Sequence, residues 1–530
     1  MRRTISVCVP EKPAQPIRLA PLLRSVLTLL RSGAKRRIAL GALAIYLLFF
    51  RGLGARDLWS SHEARAGMDA QMILDEGVWG LPCLYDGRPE LQKPPLYYWL
   101  VASVAWLRNS RVDAWAVRLP AAGAALLCVL AVGIGLGGGQ RRTLAGLLAG
   151  VVLATAAHFT WLARIGRIDM PLTLCVTLAV GAMYLAKGRE RWLRSSFLAL
   201  AYLAIAAGIL LKGPIGLVLP GAVLFFHVVQ ECGIPTPQRW RAWVRALGER
   251  GLWWGIPLVA ALTLPWFLWA NSVTHGGFFR VFLWHHNLER GYGGSNLRTN
   301  PWWFYFPQFI ADFLPWSPLF LLAVAWMVRR GDWRLDADAR FGLTWFLIVL
   351  LLLTCARFKR ADYLLPSYPG AAIFLGCIGE RWLQRLAESK KRFAAAFITT
   401  LAGIMVVLWL VRVEWQLPST ETYRDYRSFA DRVRRLAPRP QEVLFFRTEA
   451  HPLAFHLGRP LAIVVEWGEL NARLLAPGSH YVVTPPLYAE ECVRFLRGVR
   501  LEPVLRNTDL SGGRHEHPLV LLRAACPPKN

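Results

Sequence analysis

Long apolar stretches recur along most of the chain and are separated by short polar segments. A membrane-spanning helix takes roughly 17–25 residues, and fewer where flanking arginine or lysine side chains extend toward water. Eleven stretches meet this requirement, at about residues 38–52, 119–138, 143–163, 170–186, 197–211, 215–229, 252–270, 304–328, 341–356, 363–379 and 393–411. The pattern predicts an α-helical integral membrane protein with about eleven transmembrane helices.

A shorter apolar run at 94–107 determines the topology, because counting it as a span would reverse every later loop. Its 14 residues and its two leading prolines favour a helix in the membrane interface. With that choice, the loops after residue 139 hold 19 Lys+Arg on one side and 9 on the other. Cytoplasmic loops carry the excess of basic residues. The N-terminus is therefore predicted inside, with the first outer loop at 53–118 and another at 271–303.

The last part of the chain changes character after residue 413. Short β-like runs at 442–446, 461–465 and 481–484 alternate with helical patterns at 421–436 and 488–498. This alternation predicts a small soluble α/β domain at 414–530, on the outer face. The predicted organisation is then a basic cytoplasmic tail at 1–37, a transmembrane domain at 38–413 and this C-terminal domain.

Composition supports a membrane protein and excludes several other classes. The chain is 55% hydrophobic and 18% charged, with a mean hydropathy of +0.33, which excludes a disordered or collagen-like protein. Its net charge of +28 would suggest nucleic acid in a soluble protein, but basic loops explain it here, so no nucleic-acid partner is expected. The nine cysteines show no CxxC spacing and are interpreted as buried thiols.

The predicted outer loops hold most residues that could perform chemistry. In the first, Glu63 could complete a capping box with Ser60 or could serve catalysis. His62 gains nothing from such a cap and can take a proton near neutral pH. Lys93 is placed where an ammonium could hold a lipid phosphate, although the prolines after it also suit a helix start.

Later loops add further candidates, each with a structural alternative. Asp169 fits a helix N-cap, with Pro171 just inside the next helix, but a carboxylate at the lipid boundary is costly enough to suggest function. Lys212 is better interpreted as a lysine extending from a turn toward water. The adjacent residues His285 and His286 would diverge on a helix, so the pair is weak evidence for a metal. Basic residues at 357–360 run against the charge bias and suit anion binding.

Taken together, these segments resemble the polyprenyl-phosphate-sugar-dependent glycosyltransferases of the C-type (GT-C) fold. This superfamily includes the protein O-mannosyltransferases and the aminoarabinose transferases that modify lipid A. The resemblance covers about residues 38–415. It is carried, in order, by His62-Glu63, Lys93-Pro94-Pro95-Leu96, Arg118-Leu119-Pro120, Asp169-Met170-Pro171-Leu172, Lys212-Gly213-Pro214, Asn287 with Arg290, and Lys359-Arg360-Ala361-Asp362-Tyr363-Leu364-Leu365-Pro366.

The resemblance implies roles for these residues. The family has an Asp-Glu pair in the first outer loop, whose Asp acts as base or orients the acceptor, and this sequence has His62 followed by Glu63. The base stays open among His62, Glu63 and Asp169, and we prefer His62 because it occupies the family's position. By resemblance, the donor phosphate would be held by Lys93, Arg290 and Tyr363. Further candidates from the same motifs are Lys212, His285, His286, Asn287, Lys359 and Arg360.

The implied reaction moves a sugar from a polyprenyl-phosphate donor to a hydroxyl of a lipid, glycan or protein, with inversion. The donor is already activated, and the sequence has no nucleotide-binding fingerprint. Gln92 stands where aminoarabinose transferases have a glutamate, so no metal ligand is carried over, no cofactor is expected to be required and a divalent cation is not indicated. If His62 is the base, a reference pKa of about 6.5 predicts that transfer falls below that pH.

Two other classes of protein remain as alternatives. A multispan lipid or anion transporter would place charged residues along a path through its spans, with related halves. Asp312 is the one acid deep within an apolar run, and the two halves show no evident repeat. A catalytically degenerate GT-C-like scaffold would also fit the missing aspartate.

Overall fold

The structure is a computed structural model that describes residues 33–83, 87–140, 142–289, 299–330, 336–458, 461–476 and 480–525. The chain divides into two compact units, Met1–Leu47 and Leu48–Asn530. The first unit contains helix α1, Gly33–Ile45, and a π-helical turn at Tyr46–Phe50 spans the boundary. All elements described below belong to the second unit.

Helices make up most of the second unit. In chain order they are α2 Ser61–Glu76, α3 Leu96–Leu107, α4 Ala114–Gln140, α5 Thr143–Thr155, α6 Ala157–Ala163, α7 Asp169–Ala186, α8 Arg191–Lys212, α9 Ile215–Cys232, α10 Trp240–Glu249, α11 Leu252–Val273, α12 Tyr305–Asp312, α13 Ser317–Arg330, α14 Ala337–Cys355, α15 Tyr368–Arg385 and α16 Glu388–Val411. A π-helix at Phe279–Leu288 and a 3-10 segment at Ala361–Ser367 lie between them. Short turns connect the rest.

The membrane-spanning pattern agrees with the sequence prediction of a multispan protein. Among the described residues, seven helices are long and apolar enough to cross a membrane, or up to nine if each of two bent pairs is one span. The α5–α6 pair bends by 68° and the pair formed by Trp302–Asp312 and α13 bends by 112°. Helices also form over the other predicted runs, as Ile38–Phe50 and α15. The protein is an integral membrane protein.

The run at 94–107 forms the 12-residue helix α3, which is too short to span a bilayer. It packs beside α2 and α4, with Val101, Ala102 and Ala105 buried. The loops predicted to share its side of the membrane do lie together. Arg56 donates to the Arg164 carbonyl at 3.0 Å, and the Asn300 amide donates to the Arg357 carbonyl at 3.3 Å.

The opposite ends of the helices are joined by a separate ionic cluster. Arg142 binds Asp336 at 2.9 Å, Asp338 at 3.1 Å and Glu380 at 2.7 Å. Arg142 thus links the α4–α5 connection to the start of α14 and to the last turns of α15. The two groups of loops therefore lie at opposite ends of the helices.

The C-terminal segment folds around a five-stranded sheet. After the short helix α17 Leu417–Glu421, its elements are α18 Arg427–Leu436, β1 Val443–Phe446, α19 His451–Leu457, β2 Ala462–Val464, α20 Trp467–Leu475, β3 Tyr481–Thr484, α21 Pro486–Phe495, β4 Arg500–Arg506 and β5 Val520–Ala525. The strand order is β2-β1-β3-β5-β4. Strand β1 is parallel to β2 and β3, and β5 is antiparallel to β3 and β4. The predicted α/β character of this domain is confirmed. Strands β4 and β5 were not predicted from the sequence.

This sheet domain shares a hydrophobic core with the first loop. Met68 and Met72 of α2 are buried against Phe429, Val433 and other residues of the domain. Gly67 allows the contact, because a Cβ there would lie 2.8 Å from the Phe455 ring. The loop that carries His62 and Glu63 is therefore fixed from the side of the C-terminal domain.

The cysteine prediction holds only in part. All seven cysteines in the described residues are free thiols. Three are buried (Cys128, Cys377 and Cys492), three are partly buried (Cys83, Cys175 and Cys232), and Cys355, at the end of α14, is exposed.

Candidate active site

A cavity of about 210 Å³ lies where the first loop meets the ends of α7, α8, α9 and α14. Its apolar lining residues are Leu172, Ile215, Leu219, Leu353, Ala356, Phe358 and Pro366. Its polar lining residues are Lys93, Asp169, Lys212, His286, Asn287, Tyr305, Asp362 and Tyr363. A mostly apolar cavity with a few convergent polar groups is the usual form of a small-molecule site.

Lys212 contacts two other polar residues that line the cavity. Its Nζ is 2.6 Å from Asp169 Oδ1 and 4.2 Å from the centre of the Tyr363 ring. The lysine ends α8, and Gly213 then takes a positive φ of 77°. The Phe282 ring occupies the place of a side chain at Gly213, so glycine is required there. The interpretation of Lys212 as extending toward water is wrong.

Asp169 begins α7 but does not cap it, since its carboxylate turns to cationic partners. Its Oδ2 is 3.4 Å from the Arg167 Nε, and its Oδ1 binds Lys212. The N-cap position belongs to Ile168, without a side-chain cap. Asp169 is 3% exposed, so the two cations supply the stabilisation that buried charge requires. The N-cap interpretation of Asp169 is therefore wrong.

Asp362 places a second carboxylate in the cavity. It binds Arg167 Nη1 at 2.5 Å and lies 3.4 Å from Arg360 and 3.3 Å from the His158 ring. Burial acts to raise the pKa of Asp362, but the His158 hydrogen bond and the Arg167 charge outweigh it and hold that pKa well below its usual range. Arg167 thus bridges both carboxylates of the site.

Two of the three residues that the resemblance predicts to hold the donor phosphate lie in the cavity. Lys93 and Tyr363 both line the cavity. Tyr363 also presents its ring to Lys212 and lies edge-on to Phe358. Arg290 lies outside the described residues.

His62 lies at the rim, next to the cavity's charged groups. Its Nε2 is 3.4 Å from Arg360 Nη1. Desolvation and the charges of Arg167 and Arg360 lower the pKa of His62 to about 4. The imidazole is therefore neutral throughout the physiological range, and the predicted fall of activity near pH 6.5 has no basis in this environment.

Glu63 is withdrawn from the cavity. It is 1% exposed and accepts from Arg118 at 2.7 Å, Arg56 at 3.3 Å and the Gly166 amide at 2.9 Å. Burial acts to raise the pKa of Glu63, but the Arg118 and Arg56 charges outweigh it and keep that pKa far below its usual range. Ser60 does cap α2 by accepting from the Glu63 amide at 3.2 Å, but the Glu63 side chain does not complete the predicted capping box.

Some of the remaining candidate residues line the cavity, and others bind residues of the loops around it. His286 and Asn287 line the cavity, whereas His285 is exposed and binds Glu289 at 2.6 Å. The histidine pair therefore diverges, as predicted. Lys359 donates to the carbonyls of Ala356 and Asn300, at 2.5 and 3.2 Å, so it joins two loops. Arg360 lies between His62 and Asp362.

Sequence reasoning did not single out Arg167, Asp362 or Tyr305 as site residues. Arg167 stands two positions before Asp169, and Asp362 directly precedes Tyr363, so both lie inside motifs that had been identified. Tyr305 had only the signal of an aromatic run. Within the described ranges, no group of three or more His, Cys, Asp or Glu residues could hold a metal ion. The prediction about divalent cations stays a prediction.

The chain is similar to known glycosyltransferases. Residues 63–276 match the family described as dolichyl-phosphate-mannose-protein mannosyltransferase. An undecaprenyl phosphate-alpha-4-amino-4-deoxy-L-arabinose arabinosyl transferase of Shewanella sediminis is 28% identical over 72% of this chain and 67% of its own length. A Pseudomonas fluorescens protein of that name is 26% identical over 69% of this chain and 62% of its own, slightly under two thirds.

Solved structures share the fold over almost the whole chain. ArnT of Cupriavidus metallidurans bound to undecaprenyl phosphate has a TM-score of 0.74 at 19% identity, covering 93% of this chain and 98% of ArnT. The oligosaccharyltransferase AglB of Archaeoglobus fulgidus has a TM-score of 0.53 at 13% identity, covering 88% of this chain and 70% of AglB.

The membrane fold and the cationic cavity, together with these similarities, define the class of protein. The chain is a membrane glycosyltransferase of the GT-C fold, in the class that uses lipid-phosphate-linked sugars. It is similar to the aminoarabinose transferases and, over residues 63–276, to the protein mannosyltransferase family, so the resemblance found in the sequence motifs is confirmed.

Proposed function

We propose that this protein transfers a sugar from a polyprenyl-phosphate donor to a hydroxyl of a lipid, glycan or protein at the outer face of a bacterial-type inner membrane. The observation that carries the proposal is the single cavity that Lys93, Lys212, Tyr363 and Asp169 line together with apolar residues. It combines sites for a phosphate, a lipid chain and an attacking hydroxyl.

Charge in and around the cavity suits the donor phosphate. Four cations, Lys93, Arg167, Lys212 and Arg360, accompany two carboxylates, Asp169 and Asp362. The excess positive charge favours a phosphodiester and, more strongly, the phosphate that departs with greater negative charge. Leu172, Ile215 and Leu219 offer an apolar surface for the first isoprene units.

Asp169 is the base in this proposal. It lines the cavity, whereas Glu63 is enclosed by arginines and His62 lies at the rim. The Asp169 carboxylate accepts the hydrogen of the acceptor hydroxyl and takes the proton as the new glycosidic bond forms. Lys93, Lys212 and Tyr363 stabilise the leaving phosphate. A single displacement from the face opposite the phosphate inverts the anomeric carbon.

His62 contacts the acceptor in this scheme and takes no proton. An imidazolium at this position would face Arg167, Arg360 and Lys93, so proton uptake is opposed by three like charges. A neutral imidazole can still accept or donate one hydrogen bond to a sugar or lipid hydroxyl. The geometry thus favours Asp169 over the sequence preference for His62.

The function is tested by reconstitution in nanodiscs with undecaprenyl-phosphate aminoarabinose and polyprenyl-phosphate mannose as donor probes. Mass spectrometry of lipids and envelope glycans, with and without the gene, identifies the natural product. Asp169→Asn should bind undecaprenyl phosphate but lose turnover by two orders of magnitude or more, in line with loss of a general base. A fully active Asp169→Asn, combined with an inactive His62→Ala, would assign the base to His62.

The outer location of the site rests on the 19-to-9 distribution of basic residues. Single cysteines at residues 245 and 450, in a background without other accessible cysteines, give a direct test. A reagent that cannot cross the membrane should label residue 450 in intact cells and residue 245 only after lysis. Labelling of both residues in intact cells contradicts the topology.

The proposed reaction requires no cofactor, since the side-chain cations supply the charge that a metal ion would otherwise provide. EDTA should leave the turnover of the reconstituted protein unchanged. Loss of turnover that a divalent cation restores would contradict this part of the proposal.

A further inference from the structure

Behind the cavity, a buried histidine lies between two carboxylates from different helices. His158 Nδ1 is 3.2 Å from Asp312 Oδ2, and its Nε2 is 3.3 Å from Asp362 Oδ1. The Tyr368 hydroxyl lies 3.5 Å from Nδ1. His158 is 9% exposed, and no role assigned above uses it.

The two helix bends create this arrangement. His158 follows the 68° bend between α5 and α6, and Asp312 precedes the 112° bend before α13. The bends are joined directly, since the Ala157 amide donates to the Leu314 carbonyl at 2.9 Å and the Trp316 indole donates to Thr155 Oγ1 at 2.9 Å. The histidine is therefore held in place by one backbone and one side-chain hydrogen bond between the bends, neither of which involves its own side chain.

We infer that Asp312 and His158 form a bridge that positions Asp362 and, through Arg167, the base Asp169. Asp362 and Asp169 share the Arg167 guanidinium, at 2.5 Å from Nη1 and 3.4 Å from Nε. Without His158, Asp362 would lose a partner and draw Arg167 away from Asp169. This inference rests on the proposed function, and it makes His158 a positioning residue.

Among the described residues, three groups face His158, namely Asp312, Asp362 and the Tyr368 hydroxyl. An N–H at Nε2 can donate to Asp362, while Nδ1 lies within reach of Asp312 and the Tyr368 hydroxyl. A replacement that keeps an N–H donor toward Asp362 should therefore keep Arg167 and Asp169 in position, and one that removes the donor should not.

His158→Gln separates this bridge from simple packing, because the glutamine amide can still donate an N–H to Asp362. It should keep most of the turnover. His158→Ala should reduce kcat by on the order of 10- to 100-fold, as misplacement of a catalytic group does, and leave undecaprenyl phosphate affinity within about twofold.

Thr155→Val is the matched control, because it removes the Trp316 hydrogen bond between the same bends and alters no charge. It should change kcat little. If Thr155→Val lowers kcat as much as His158→Ala does, or if His158→Gln is as inactive as His158→Ala, the bridge is merely structural and the inference is overturned.

A second measurement does not depend on turnover. Titration of the full chain in nanodiscs with undecaprenyl phosphate should give affinities within about twofold for the wild type, His158→Ala and Thr155→Val, because none of these changes replaces Lys93, Lys212 or Tyr363. Loss of binding in His158→Ala would show that the bridge holds the donor site rather than Asp169, and would overturn the inference. Failure of the wild type to bind undecaprenyl phosphate would instead count against the proposed function.

Discussion

The Nζ of Lys212 and Oδ1 of Asp169 are 2.6 Å apart, although 43 positions separate the two residues in the chain. Both are largely buried, and Lys212 also contacts the Tyr363 ring. The lysine therefore links the acid proposed as base to a residue proposed to hold the donor phosphate. When the donor binds, the Lys212 ammonium can interact with both the donor phosphate and the Asp169 carboxylate.

Replacement of Lys212 should affect both steps of the reaction. Lys212→Met removes one of two cations from buried Asp169, and breaking a buried ion pair costs about 3–5 kcal/mol. We expect weaker undecaprenyl phosphate binding and turnover reduced at least a hundredfold. A double-mutant cycle with Asp169→Asn should show strong coupling in the thermal midpoint, and additive effects would disprove a direct pair.

Lys93→Ala should weaken donor binding without unfolding the protein. A charge-assisted hydrogen bond to phosphate contributes about 1.5–3 kcal/mol, so affinity should fall roughly ten- to hundredfold. Titration with undecaprenyl phosphate measures it. Lys187→Ala is the control, since Lys187 is 63% exposed and binds Glu231 away from the cavity. Equal affinities of the two variants would remove Lys93 from the donor site.

The fold followed from the sequence because burial in lipid produces long apolar runs, which a single chain displays directly. The parts of the sheet that were missed have a physical explanation. Strand β4 is mostly exposed, contains Pro503 and is irregular between Pro503 and Leu505, so it lacks the alternation that predicts strands.

The site was predictable only in outline. Lys93, Asp169 and Tyr363 stood in motifs and do meet in one cavity. Glu63 stood in a motif as well, but its enclosure by Arg56 and Arg118 depends on tertiary contacts that no local pattern shows. The same holds for the cations that change the basicity of His62.

The pH dependence of transfer should show no acid limb near 6.5. The pKa of His62 is lowered to about 4 because its ring is desolvated and faces Arg167 and Arg360. The unfolded chain binds a proton at His62 below about pH 6.5 and the folded protein does not, so His62 reduces stability as pH falls toward 4. His62→Gln changes a contact with the acceptor and can alter kcat at every pH, but the shape of the kcat profile from pH 5.5 to 7.5 should match that of the wild type. A wild-type acid limb that this variant abolishes would contradict the expectation.

Glu63→Gln should destabilise the protein rather than alter its chemistry. The depressed pKa of Glu63 means that its stabilisation is present above the unfolded value of about 4.5 and is lost as pH falls through the folded value. The variant leaves Arg56 and Arg118 buried without their carboxylate, at a cost of about 3–5 kcal/mol. The thermal midpoint should fall clearly at pH 7, while kcat per folded molecule changes little. A stable but inactive variant would return Glu63 to the catalytic group.

Asp69→Asn should stabilise the protein at neutral pH. Asp69 is fully buried in α2, and burial together with the nearby Glu90 carboxylate raises the pKa of Asp69 well above its usual value. The unfolded chain releases this proton above about pH 3.8 and the folded protein retains it, so the cost to folding grows as pH rises. Asparagine resembles the protonated acid in shape and avoids that cost. We expect a gain of roughly 1–3 kcal/mol, the scale of burying an uncompensated polar group. The gain should appear as a higher thermal midpoint at pH 8 and shrink toward pH 4. Glu76→Gln is the control, because Glu76 lies at the exposed end of the same helix, and it should leave the thermal midpoint unchanged at both pH values. A lower thermal midpoint for Asp69→Asn at pH 8 would show that the Asp69 carboxylate is ionised and bound.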